Sequence, residues 1–109
     1  MKKHLLTALS IIALTAWARA ADAPENWDKN CAACHGKDGQ GATKAGRMAG
    51  VKDLSDAEYQ KSFTDDKAFT QIKNGLKDDK GKEKMKAFAE KLTDPEVSAL
   101  VAYVRGLKK

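Results

Sequence analysis

Near its C-terminal end the chain spaces its apolar residues as a helix does. Val97, Leu100, Val101 and Val104 fall at i, i+3, i+4 and i+7, and Leu107 continues the stripe. Thr93 and Glu96 fit a capping box ahead of it. Pro95 sits in the first turn, where a missing N–H costs nothing. The pattern predicts an amphipathic helix over about residues 94–107, with one face to bury. Two shorter helices are expected before it. Ser55 and Glu58 form a second capping box, opening a helix that places Tyr59 and Phe63 on one face. Thr64 or Asp65 caps the next, where Phe69, Ile72 and Lys73 lead to a stop at Asn74-Gly75. Pro24 to Asn30 reads as a short helix with Trp27 in it. No β-branched run alternates with period two, so no strand is expected, and Lys77 to Met85 reads as polar and irregular. Between His35 and Leu54 lie five glycines, a density that predicts a folded loop approaching something flat rather than a helix.

The N-terminal end follows a different pattern. Lys2, Lys3 and His4 precede a mostly apolar run from Leu5 to Trp17, and Ala18-Arg19-Ala20 offers a signal peptidase its small residues. The run is short for a hydrocarbon layer of roughly 30 Å. Residues 1–20 are therefore expected to be a cleaved secretory signal, an uncleaved membrane anchor being the alternative. Residues 21–109 form one domain, exported to the periplasm. Of the 20 Lys and Arg, three lie in the leader, which leaves 17 basic against 15 acidic residues, a formal +2. These charges are interleaved and form no aromatic-studded basic stripe, which argues against a nucleic-acid binder. A domain this small has a thin core and benefits from a staple.

The chemistry is concentrated in Cys31-Ala32-Ala33-Cys34-His35. Two thiols two residues apart with a histidine directly after the second form the attachment signature of c-type haem. Each thiol can add to one vinyl group, and the adjacent imidazole is then held beneath the iron. A disulfide across so short a loop would constrain little of the unfolded chain, whereas a covalent haem adds a large apolar body to a thin core. A carrier haem needs a second axial ligand, and a methionine there raises the potential. After the leader the chain has Met48 and Met85. Met85 lies fifty residues beyond His35, where the chain can return on the other side of the haem. Met48 lies in the glycine-rich stretch and reads better as an adaptable apolar contact. His4 leaves with the signal, so a bis-histidine pair has no second member.

The mature sequence resembles the class I cytochromes c along essentially its whole length. The resemblance rests on Trp27 four residues before Cys31, the run from Cys31 through Gly41, and Lys52 to Asp56. It continues in Ile72-Lys73-Asn74-Gly75, Met85 with Phe88, and Leu100 to Arg105. It implies an all-α cytochrome c fold, a small orthogonal bundle of about four to five short helices around one covalent haem. It further implies thioether bonds at Cys31 and Cys34, axial ligation by His35 and Met85, and the first and last helices crossing at a haem edge. Three positions depart from the family pattern. Lys86 stands where a proline usually follows the ligand methionine. The first helix is short, which weakens its packing on Tyr103 and Val104. The proline whose carbonyl commonly accepts the histidine ring proton is missing between Gly41 and Val51, so another carbonyl must orient His35. Arg47 is either a propionate partner or an exposed loop arginine.

The expected function is that of a soluble, monomeric periplasmic electron carrier and not an enzyme, docking transiently with donor and acceptor proteins. One rival is a haem-based gas or redox sensor or weak peroxidase with a displaceable Met85. Another is a thiol–disulfide protein using Cys31 and Cys34, for which the βαβ pattern of thioredoxin-like folds is lacking.

Overall fold

The computed structural model describes residues 22–109, and the leader expected over residues 1–20 lies outside them. Helix α1, Ala23–Asn30, begins where Asp22 accepts the Glu25 N–H at 3.0 Å, with Pro24 in the first turn. The chain turns at Cys31 into the one-turn helix α2, Ala32–His35, which stops at Gly36 with φ 78°. Helix α3, Lys44–Ala49, runs from a Thr43 cap to a left-handed Gly50 and lies inside the stretch expected to be non-helical. A cap and a stop six residues apart suffice for one short helix. Its Gly46 is buried, and a Cβ there would collide with the carbonyl oxygen of Cys34.

Helix α4, Ala57–Lys61, is capped by Asp56 and not by the expected Ser55. The cause is local: the Asp53 carboxylate takes both the Ser55 N–H (2.8 Å) and its hydroxyl (2.6 Å). Ser55 is thereby buried and committed, and the next residue caps. Helix α5, Asp65–Asn74, uses Thr64, the first of the two expected caps, and ends at Gly75 with φ 76°. Helix α6, Asp94–Gly106, has both halves of the Thr93–Glu96 capping box and buries Val97, Leu100, Val101 and Val104.

Between α5 and α6 the chain departs from the strand-free expectation. Strand β1, Leu76–Lys77, pairs antiparallel with β2, Glu83–Met85, Leu76 opposite Met85 and Lys77 opposite Glu83, with a register irregularity between. The Asp78 carboxylate closes the turn by accepting from the Lys80 and Lys82 backbones, both at 2.9 Å. Every strand residue except Met85 is exposed. A ladder without a buried face writes no apolar alternation, which is why the sequence conceals it.

The core gathers Trp27, Cys31, Ile72, Phe88 and Leu92 around the buried stripe of α6. Helix α1 is short, yet it packs firmly on α6. Trp27 is only 2% exposed, its ring centroid lies 5.2 Å from that of Tyr103, and buried Asn26 donates to Glu96 at 3.0 Å. On the other side, the buried Gln60 amide bonds the carbonyls of Leu54 and Val104, each at 2.8 Å. The Arg105 guanidinium lies 4.4 Å from the Phe63 ring centroid and pairs with Asp65 at 2.7 Å. Among the described residues, six helices and one small ladder thus frame a cavity that the core residues only partly fill.

Candidate functional site

Cys31, Cys34, His35 and Met85 all line this one cavity, whose volume is about 600 Å3. Val51, Leu54, Tyr59, Leu76 and Phe88 supply apolar and aromatic wall. That volume lies in the range of small-molecule and cofactor sites. The structure therefore brings together the four residues singled out from sequence. Met48 does not join them: it projects from α3 with 77% of its surface exposed. Arg47 is exposed as well and is not part of the cavity wall.

The Cys31–His35 segment is held by short-range bonds. The His35 N–H donates to the Cys31 carbonyl at 2.9 Å, the turn of helix that presents both cysteines and the imidazole together. The Trp27 indole N–H donates to the Gly36 carbonyl at 3.0 Å, and the Thr43 hydroxyl to the Cys34 carbonyl at 2.7 Å. No disulfide joins the two cysteines. Burial pushes the Cys31 thiol up to about 11, and the neighbouring Cys34 adds to the effect. At neutral pH Cys31 is thus an uncharged, largely apolar group in the core.

His35 is displaced in the other direction. Burial lowers its pKa below the usual imidazole value, favouring the neutral ring that a metal requires. Its Nδ1 is buried without a hydrogen-bond partner among the described residues. The expectation that some other carbonyl replaces the missing proline's is therefore not met. Instead the ring packs at a tilt beside Trp27, 5.7 Å between centroids.

Met85 arrives at the end of β2. Directly after it, the Phe88 N–H donates to the Ile72 carbonyl and the Ala89 N–H to the Lys73 carbonyl, each at 3.1 Å. The Gln71 side-chain amide approaches the Met85 sulfur at 3.9 Å. Sequence reasoning missed Gln71, as it missed Thr43 and Gly46 behind Cys34. An amide on an exposed helical position reads as solvated, and a threonine or glycine within a loop reads as loop.

The residues present fit a covalently held haem. Two cysteines, an imidazole whose neutral form burial favours, and a thioether share one apolar-walled cavity, and soft sulfur with imidazole is a donor set suited to iron. Lys29, Lys52, Lys84, Lys86 and Lys91 also contribute to its lining, with Glu83 the acid among them.

The family model described as Cytochrome c matches residues 20–108. Among solved structures, the chain is similar to KustC0563 c-type cytochrome, at 38% identity and a TM-score of 0.71, covering 82% of this chain and 100% of that one. A tyrosine-to-phenylalanine mutant of the same protein is similar at 38% identity and a TM-score of 0.68, covering 81% and 100%. No curated protein matches the chain.

Proposed function

The chain belongs to the cytochrome c family, haem-carrying electron-transfer proteins, and from that premise we propose that it is a soluble periplasmic carrier with His35 and Met85 as axial ligands. Cys31 and Cys34 hold the porphyrin through thioether bonds. The observation that carries this reading is the convergence of these four residues on one cavity while Met48 stays outside it. The bound haem supplies a one-electron ferrous/ferric couple. The chain's own residues do the rest: the cysteines tether, half-buried His35 is biased toward its neutral form, Met85 favours the ferrous form, and the apolar wall excludes water. Were His35 and Met85 both bound to the iron, oxygen and peroxide would have no place to bind, and electrons would exchange with partner proteins docked at the cavity mouth.

Export through a cleaved signal over residues 1–20 belongs to the same reading. The family match beginning at residue 20 supports that boundary, and no helix among the described residues is long and apolar enough to cross a membrane.

A second reading is favoured by the exposure of the hairpin that carries Met85 and by Lys86 directly after it. There, Met85 is displaceable and the protein is a haem-based gas or redox sensor or weak peroxidase. Absorption spectra of Met85→Ala and Met48→Ala test the assignment. Met85→Ala is expected to lose the red charge-transfer band of methionine-sulfur ligation, bind carbon monoxide readily and fall in potential. Met48→Ala is expected to keep the low-spin spectrum. The reverse pattern would reject Met85 as ligand, and rapid carbon monoxide binding by the unaltered ferrous protein would favour the sensor.

A further inference from the structure

We propose that Leu76 is the gate through which a small uncharged ligand reaches the Met85 side of the cavity, and that a groove along α5 is its entrance. The inference rests on the reading of Met85 as axial ligand and deepens the second reading above, in which that ligand is displaceable.

The groove is open to solvent, has a volume of about 390 Å3 and is lined by Asp66, Lys67, Thr70, Gln71, Gly75 and Leu76. Gln71 and Leu76 also line the cavity that contains Met85, so these two side chains form the wall between the two spaces. Leu76 is 46% exposed: part of it meets water while part of it faces the cavity. A residue that meets both leaves a wall one side chain thick.

Backbone closes the rest. Gly75 ends α5 with φ 76°, and a Cβ there would lie 2.6 Å from the Met85 carbonyl oxygen and 2.9 Å from the Ala87 nitrogen. The two segments touch with no room for a methyl group, and no ligand passes between them. One residue on, Leu76 pairs with Met85 across the ladder. Side chains directly opposite each other on paired strands share one face, and both of these line the cavity. Of the two wall residues, Gln71 is engaged with the Met85 sulfur at 3.9 Å, which leaves Leu76 as the one free to move.

What the gate admits follows from its chemistry. Exposed side chains change rotamer within picoseconds to nanoseconds, so Leu76 can swing aside without unpairing the ladder. Its isobutyl group offers no hydrogen bond to a passing molecule. An ion would shed water there without compensation, whereas an uncharged diatomic loses little. Asp66 and Lys67 bring one charge of each sign to the groove, so it gathers neither anions nor cations. None of Lys29, Lys52, Lys84, Lys86 and Lys91, which line the cavity, borders it.

The test is carbon monoxide kinetics of ferrous Met85→Ala holoprotein, in which no methionine has to leave first, with Leu76→Ala and Leu76→Trp added in turn. Intact mass verifies one haem in each. A gate lies on the path in both directions, so it changes entry and exit by the same factor and leaves the affinity alone. Leu76→Ala should raise the association and dissociation rate constants together by about threefold to tenfold, and Leu76→Trp should lower both. Should Leu76→Ala lose its haem, the slowing by Leu76→Trp decides alone. A dissociation rate constant that moves by itself, carrying the affinity with it, would make Leu76 a contact of the bound ligand and overturn the gate. Rates unmoved in both variants would overturn it as well, with Met85 still standing as ligand. If Met85→Ala takes up no carbon monoxide, the reading of Met85 falls and the gate falls with it.

Discussion

Around His35 the chain is stitched to itself within about twenty residues, whereas Met85 is held by a five-residue ladder and a few bonds to α5. On the histidine side Trp27, Thr43 and Gly46 close on the backbone of residues 34–36, and Trp27 is at the same time the centre of the α1–α6 contact. On the methionine side Lys84 and Lys86 flank Met85 in solvent, the ladder carries a register irregularity, and the fixed points are Gly75, Ile72 and Lys73. The contrast teaches that the two proposed ligands are positioned by different economies of structure. The histidine cannot move without unpacking the core. The methionine can, because the hairpin that carries it buries almost nothing. Properties that depend on the sixth ligand, such as potential and access to small ligands, should then respond to changes near Met85, and global stability to changes near His35.

The largest effect tests the premise of the comparison. The exported protein should have the mass of a chain beginning at Ala21 plus one haem. Changing Cys31 and Cys34 together to alanine should remove the haem mass and abolish cooperative unfolding followed by circular dichroism, since the small core loses its largest apolar element. A double variant that retains haem through purification, or unfolds as sharply as the parent, would remove the tether from the account.

Legibility in the sequence follows the same division. The haem motif and α6 could be read because their signals are local: a five-residue signature, a capping box, and a stripe at helical spacing. Met85 was separable from Met48 by its position along the chain, and in the structure Met85 lines the cavity while Met48 is exposed. What could not be read were interactions between segments whose residues look ordinary alone. Asp53 takes Ser55 out of contention as a cap. Gly46 serves a close approach to Cys34 inside a helix rather than a loop. Gln71 comes within 3.9 Å of the Met85 sulfur only when the hairpin folds back onto α5, and that hairpin has no buried face to announce it.

Two glycine substitutions of equal size break the comparison directly if it is wrong. Gly46→Ala drives a Cβ into the Cys34 carbonyl and lies 2.7 Å from that of Gly41, backbone atoms with nowhere to go. It should cost about 1–3 kcal/mol of stability, seen as a lower denaturant midpoint of the holoprotein. Gly75→Ala meets the Met85 carbonyl at 2.6 Å and forces a left-handed φ on a residue with a side chain, worth about 1–2 kcal/mol of local strain. That strain can be relieved by displacing the exposed hairpin. Gly75→Ala should therefore weaken the methionine band and speed carbon monoxide binding, with a smaller loss in the midpoint than Gly46→Ala. If Gly75→Ala unfolds the protein as readily while its band stays intact, the methionine side is not the looser one.

The smallest expected effect sharpens the comparison at its outer rim. Lys80, Lys82, Lys84 and Lys86 alternate through the hairpin with Glu83 the one acid among them, whereas residues 21–109 together have a formal charge of only +2. Lys84 and Lys86 line the cavity together with Lys29, Lys52 and Lys91, while Lys80 and Lys82 are exposed in and beside the turn and take no part in the lining. A partner with an acidic docking face would be steered to that mouth, and only charges within about 8 Å of the approaching face remain unscreened at physiological ionic strength. Lys84→Glu with Lys86→Glu should then slow electron transfer to such a partner about tenfold at low salt and flatten its salt dependence. The same exchange at Lys80 and Lys82 should do less. Stopped-flow rates across a salt series separate the pairs. Equal effects from both would mean that net charge, not the cavity rim, governs encounter, and no effect from either would leave the lysines as a solvated surface that keeps the exposed hairpin from pairing with other chains.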